Sequence, residues 1–139
     1  MTSTILIVDD FRAYRSYVRK ILQGNPEFRV IGEAGDGLTA VQKASEMQPD
    51  VILLDINMPA LSGLDAIRLI QKVSPGSRVI FVTAQTKPEL IRKAFEHGAS
   101  AYLDKMCVED ELISALRCVM DNMLFLGTDS LAEELGPVQ

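Results

Sequence analysis

Four charged side chains and one hydroxyl stand out because each follows a short apolar run. Asp9 and Asp10 follow Ile5 to Val8. Asp55 follows Val51-Ile52-Leu53-Leu54. Thr83 follows the run that ends at Val82, and Lys105 follows Ala101 to Asp104. Short apolar runs of this kind read as strands buried on both faces of a parallel sheet. Parallel strands point one way, so the five residues are expected at one edge. In an open α/β sheet that carboxyl-terminal edge is where ligands bind. Three clustered carboxylates repel one another, and either a proton or a cation must relieve them. Oxygen ligands alone suit a hard ion such as magnesium, whose shell is commonly completed by water and phosphate oxygens. Lys105 adds a point charge that can pair with Asp55 at rest and with a phosphoryl oxygen later. Thr83 adds a hydroxyl donor. Together they suit a tetrahedral anion beside a divalent cation, with Asp55 as the nucleophile and an aspartyl phosphate as the product.

The elements that must position these residues alternate between strand and helix five times. Strands are expected at Ser3 to Val8, Phe28 to Ala34, Val51 to Leu54, Arg78 to Val82 and Ala101 to Asp104. Pro59 cannot serve in a ladder, so the third strand ends before it. Helices are expected at Arg12 to Gln23, Leu38 to Met47, Leu64 to Val73, Pro88 to His97 and Glu109 to Asp121. Helical spacing puts Tyr14, Tyr17 or Val18, Ile21 and Leu22 on one face of the first, and Leu38, Val41 and Ala44 on one face of the second. Gly98 is the expected stop of the fourth helix. Such alternation means βαβ units with right-handed crossovers. The expected fold is α/β: a flavodoxin-like, three-layer (βα)5 sandwich around a parallel five-stranded sheet of order 2-1-3-4-5. Residues 1–121 form this domain. Residues 122–139 are a tail whose apolar patch, Met123 to Leu126, should dock on something, and Thr128 or Asp129 could cap a short helix through Leu135.

Composition excludes several classes. The chain has 139 residues, 47% hydrophobic and 24% charged, which suits one globular domain. No stretch is long and apolar enough for a membrane span, and no signal peptide precedes Asp9, so a cytoplasmic location is expected. The two cysteines, Cys107 and Cys118, fit no metal-ligand spacing and read as reduced thiols. A net charge of −5 argues against a direct grip on nucleic acid.

The acidic pair, Asp55 with Met58-Pro59 and Gly63, Thr83-Ala84 and Lys105 together resemble the receiver domain of bacterial response regulators, from about Ile5 to Met120. Phe28 to Gly37 and Gly98 to Leu103 resemble the NarL/LuxR-type branch. The resemblance implies that Asp55 accepts a phosphoryl group from a sensor histidine kinase. It implies that Asp10, Asp55 and the backbone carbonyl of Asn57 hold Mg2+, with Asp9 acting through water. Lys105 and the Ala84 N–H would hold phosphoryl oxygens. Thr83 and Tyr102 would switch the face formed by the fourth helix, fifth strand and fifth helix. Homodimerisation on phosphorylation is implied as a possible output. So is transcription control through a C-terminal DNA-binding domain lying outside this chain, with a single-domain regulator as the alternative. No enzyme activity is expected beyond slow self-phosphorylation and self-dephosphorylation. The chain departs from the pattern at Met106, where receivers generally have proline. A trans Lys105-Met106 bond is expected, because a cis bond without proline costs roughly 2.5–4 kcal/mol.

Competing readings are weaker. A phosphatase of the haloacid dehalogenase kind needs a second aspartate two residues beyond the nucleophile, and Asn57 stands there. A phosphorylation-independent interaction module would not need the full acidic set with Lys105. A flavin carrier needs glycine, serine or threonine after the first strand to cradle a phosphate, and none of these lies between Asp9 and Arg15. Asp9 and Asp10 could also simply cap the first helix.

Overall fold

The computed structural model describes residues 2–127. Strands β1 (Ser3–Val8), β2 (Phe28–Ala34), β3 (Val51–Leu54), β4 (Arg78–Thr83) and β5 (Ala101–Asp104) alternate with helices α1 (Arg12–Gln23), α2 (Gly37–Met47), α3 (Gly63–Val73), α4 (Pro88–Glu96) and α5 (Val108–Met120). All pair in parallel, and the expected order 2-1-3-4-5 is present. A sixth strand, β6 (Phe125–Leu126), extends it in parallel beside β5. The apolar patch at Met123 to Leu126 therefore docks as an edge strand, with Phe125 and Leu126 half-buried and Met123 and Leu124 exposed. The Thr128 or Asp129 cap and the short helix beyond it lie outside the described residues.

Successive strand residues face opposite sides, and the core divides accordingly. Ile5, Ile7, Val51, Leu53, Ile80, Val82, Ala101 and Leu103 pack under Val18 and Leu22 of α1 and Leu112, Ala115 and Leu116 of α5. Leu6, Val8, Ile52, Leu54, Val79, Phe81 and Tyr102 pack under α2, α3 and α4 through Ala40, Ile67 and Ile91. With both faces covered, the central strands are continuously apolar over Ile5 to Val8, Val51 to Leu54 and Val79 to Val82, as buried parallel sheets require.

The helix faces mostly follow the expected spacing. Tyr17 is 40% exposed, so Val18 takes the buried position in α1. In α2 the expected face is corrected at Leu38, which is 57% exposed; Ala44 is buried and Val41 packs against the core as expected, and Gly37 and Ala40 are buried beside them. The small residues let α2 lie close to its neighbours. A Cβ on Gly37 would stand 2.2 Å from the Leu61 carbonyl oxygen. Asp36 caps α2 by accepting from Thr39 N, and Ser62 caps α3 by accepting from Asp65 N. Gly98 follows α4 at φ +95°, a backbone that a side chain resists. Lys105–Cys107 form a 3-10 turn that leads directly into α5. No peptide bond is cis among the described residues, so Lys105-Met106 is trans.

Candidate functional site: an acidic pocket at the sheet edge

Asp9 and Asp55 lie just past the carboxyl ends of β1 and β3. The backbone continues the ladder beyond both strands. Asp9 N donates to Ala34 O at 3.0 Å, and Asp55 N donates to Val8 O at 3.1 Å. The backbone that carries each carboxylate is therefore fixed by sheet hydrogen bonds rather than left to a loose loop. Strand alternation carries Asp9, Asp55 and Lys105 toward the α1 and α5 side, in phase with Ile7, Leu53 and Leu103. It carries Thr83 toward the α4 side, in phase with Phe81.

Asp9, Asp10 and Asp55 can each offer a carboxylate oxygen such that the oxygens lie within 4.8 Å of one another. Asp9 and Asp55 are buried, and Asp10 is exposed. Lys105 Nζ bridges the buried pair, 2.6 Å from Asp9 Oδ2 and 2.9 Å from Asp55 Oδ2. The Asp55 pairing is the one expected from the sequence, and Asp9 adds a second partner. Asp9 Oδ1 accepts from Phe11 N at 2.9 Å, and Asp55 Oδ1 from Ile56 N at 2.7 Å. Burial pushes the Asp9 carboxyl above its ordinary value, and the charge of Asp55 adds to this. Bonds from Lys105 and Phe11 offset only part of the rise. Burial would push the Lys105 ammonium down, but hydrogen bonds and charge from Asp9 and Asp55 outweigh it and hold it above its ordinary value. Such a cluster is under electrostatic load, and an added cation would relieve it.

The loop after Asp55 is shaped by Gly63. A Cβ there would stand 2.1 Å from Asp55 O and 2.8 Å from Ile56 Cα. Gly63 N also donates to Ile56 O at 2.8 Å. The start of α3 is thereby pressed against the backbone of Asp55. Asn57 is exposed beside it, and a shallow open depression is lined by Asp10, Ile56, Asn57, Met58, Pro59 and Ser62. A donor molecule can approach there without crossing the core.

Residues 5–117 match the response regulator receiver domain family. The chain belongs to that family. The response regulator UvrY of Escherichia coli K12 is 34% identical over 125 residues, covering 90% of this chain and 57% of UvrY. The nitrate/nitrite response regulator protein NarL of the same strain is 32% identical over 136 residues, 98% of this chain and 61% of NarL. The chain thus spans little more than half the length of these relatives. A LuxR-family two-component response regulator from Aurantimonas sp. SI85-9A1 superposes with a TM-score of 0.91 at 29% identity, covering 97% of this chain and 96% of that one. The receiver is accordingly of the NarL/LuxR type and serves two-component signal transduction.

The receiver gathers the sequence-identified residues at one edge but in two groups. Asp9, Asp10, Asp55 and Lys105 form the acidic pocket. Thr83 and Tyr102 are fully buried on the α4 side, and Ala84 is exposed at the end of β4. Burial and then the charges of Asp55 and Asp104 push the Tyr102 hydroxyl up, so it stays a donor. The helix-capping alternative for the acidic pair does not hold, because the cap of α1 is Phe11 with no side-chain hydrogen bond. Two sets of contacts escaped the sequence reading. Gln85 offers both backbone groups to Thr83 and Tyr102: its N–H donates to Thr83 Oγ1 at 3.2 Å, and its carbonyl accepts from the Tyr102 hydroxyl. Backbone contacts leave no residue-type signal. Tyr14 touches Lys105 twice, and had been visible only as one apolar position on α1.

Proposed function

We propose that Asp55 accepts a phosphoryl group from the phosphohistidine of a sensor histidine kinase. A carboxylate oxygen of Asp55 bonds to phosphorus as the phosphorus–nitrogen bond to imidazole breaks, and imidazole nitrogen keeps the electron pair. The observation that carries this reading is the buried Asp9–Lys105–Asp55 bridge beside a third carboxylate, at the sheet edge where this fold binds ligands. Lys105 can leave one of two carboxylates for a phosphoryl oxygen while the other still holds it. The Ala84 N–H would hold a second oxygen, a role that its exposure just past β4 supports.

The all-oxygen, partly desolvated donor set fits a hard divalent ion. Asp10, Asp55 and the Asn57 carbonyl would hold Mg2+, with Asp9 reached through water. The ion supplies positive charge that offsets the carboxylates and the incoming phosphoryl oxygens. Thr83 then turns its hydroxyl toward the phosphoryl group, and Tyr102 takes the space left behind. New charge-assisted bonds so bias the surface of α4, β5 and α5. Neither Asn57 nor Gln85 is a carboxylate able to activate water, so the aspartyl phosphate has an ordinary rather than a seconds-long lifetime. The domain works as a cytoplasmic switch and not as an enzyme. Its slow self-phosphorylation from small donors and slow self-dephosphorylation are side reactions of the same site. Its output is transcription control through a DNA-binding domain outside this chain, with homodimerisation on phosphorylation. The relatives' names and the share of them that this chain spans favour this over a single-domain regulator.

The test is intact mass after incubation with acetyl phosphate, with magnesium and with EDTA. A magnesium-dependent gain of one phosphoryl group, absent in Asp55→Asn, supports the proposal. A gain that survives Asp55→Asn places the nucleophile elsewhere and ends it.

A further inference from the structure

We infer that Tyr14 is a positioning residue for Lys105, and so sets the rate at which Asp55 takes up a phosphoryl group; the inference rests on the function proposed above. Two contacts tie Tyr14 to this lysine at opposite ends. The Tyr14 hydroxyl donates to the Lys105 carbonyl oxygen at 3.0 Å. The Tyr14 ring centroid lies 4.7 Å from Lys105 Nζ, within the range of a cation–π contact. One side chain thus anchors both the backbone and the charged head.

Lys105 needs such an anchor in this chain. Its side chain has four rotatable carbons to order, which is entropically expensive. No proline ring follows to stiffen the backbone, since Met106 stands there and is 91% exposed. The Met106 side chain therefore anchors nothing. Asp9 and Asp55 hold the head at rest, and the turn itself is tethered by a bond from Met106 N to Asp104 Oδ1 at 3.0 Å. That bond fixes the turn but does not aim the lysine.

Tyr14 is itself well fixed. It is half-buried and packs against the core under α1 and α5. Its ring meets the Tyr17 ring at 5.8 Å between centroids, and the Tyr17 hydroxyl reaches Glu109 at the start of α5. Burial and then the Asp9 charge push its hydroxyl well above the ordinary value, so it stays protonated and keeps donating. When Lys105 leaves Asp55 for a phosphoryl oxygen, the ring still flanks its head and the hydroxyl still holds its backbone. The lysine moves along one arc rather than swinging free into solvent.

The experiment compares phosphorylation rates from acetyl phosphate with magnesium, read by intact mass, in the full chain. Tyr14→Leu loses both contacts and is expected to react about tenfold more slowly. Tyr14→Phe keeps the ring, loses the hydrogen bond, and is expected to slow about threefold. Both effects should vanish in a Lys105→Ala background, because the tyrosine acts through the lysine. A residue that merely holds the fold would lower the melting temperature and would slow both backgrounds by one factor; that pattern overturns the inference. Should Tyr14→Leu not fold, Tyr14→Phe against Lys105→Ala decides alone. Normal uptake in wild type with unchanged Tyr14 variants overturns this inference and leaves the proposed function standing. No uptake in wild type overturns both.

Discussion

The hydroxyls of Thr83 and Tyr102 are joined through the backbone of a single residue, Gln85. Its N–H is held by Thr83 Oγ1, and its carbonyl is held by the Tyr102 hydroxyl. The two side chains sit on neighbouring strands, and Phe81 pairs directly with Tyr102 in the β4–β5 register. Neither can turn without releasing Gln85, so the start of the β4–α4 loop is the physical link between the two.

Tyr102→Phe tests that link. It removes the donor to the Gln85 carbonyl while keeping the buried ring. The expected cost is about 1 kcal/mol in urea unfolding, the usual loss for one hydrogen bond. The amide resonances of Gln85 and Thr86 should shift, while those of Asp9 and Asp55 stay within line width. A shift spread evenly over the domain would mean that Gln85 is not the joint.

Gly63→Ala tests the close approach behind Asp55. A methyl group 2.1 Å from the Asp55 carbonyl oxygen cannot be accommodated without moving backbone. Overpacking of this kind costs about 1–3 kcal/mol or more. Thermal unfolding should show it, and phosphorylation of the remaining folded protein should slow as well. A variant as stable as wild type would show that the β3–α3 loop yields freely.

Most of the architecture was legible from residue patterns because β1, β3, β4 and β5 carry short continuous apolar runs. The carboxyl limits of β1, β2, β3 and β5 fall at Val8, Ala34, Leu54 and Asp104, as the sequence predicts. The site was legible because side-chain chemistry recurs at strand ends, which topology brings together. What stayed hidden has physical reasons. β6 is two residues long, too short for any period to show. Leu38 looked like a core position by spacing, yet Gly37 and Ala40 bring α2 so close that a leucine has no room inside. The second partner of Lys105, Asp9, depends on strand alternation continuing past the strand end. Gln85 acts through its backbone, which residue type does not reveal.

Glu33 gives a pH signature one residue removed from the pocket, since its partner Arg15 also donates to the Asp9 carbonyl oxygen at 2.6 Å. It accepts from Arg15 Nε at 2.9 Å and from Arg19 Nη2 at 2.7 Å, tying β2 to α1. Burial pushes its carboxyl up, but hydrogen bonds and charge from Arg19 and Arg15 outweigh this and hold it below the ordinary 4.5. A lowered folded value means the stabilisation is complete above about pH 4.5 and lost as pH falls through the folded value. Glu33→Gln should therefore be less stable than wild type at pH 7, and the gap should close in acid. Unfolding curves at pH 7 and pH 3 check this; a gap that widens in acid would contradict it.

The acidic trio predicts a metal response of the fold itself. A cation that binds only the folded state stabilises it by about 1.4 kcal/mol at ten times its dissociation constant. For a domain of this size that is a rise of roughly 2–6 °C in melting temperature. Magnesium should produce the rise, EDTA should remove it, and Asp10→Asn should flatten it. An equal rise in Asp10→Asn would place the cation outside the pocket.

The last prediction concerns the sixth strand. Phe125 N donates to Ser100 O at 3.0 Å, and Gly127 N donates to Tyr102 O at 2.9 Å. Leu126 also packs against the core on the α4 side. The carbonyl of the buried Tyr102 is thus satisfied by the tail, and the residue is gripped at both ends: its hydroxyl by Gln85, its backbone by Gly127. A chain ending at residue 122 loses both tail hydrogen bonds and uncovers the β5 edge. At about 1 kcal/mol per bond, plus the exposed apolar area, the loss should reach about 2–3 kcal/mol. The uncovered edge should also pair with other copies, so sedimentation should show self-association that Leu126→Asp in the full chain shares in part. Unchanged stability and a monomeric shortened chain would mean that β6 rests on the sheet without supporting it.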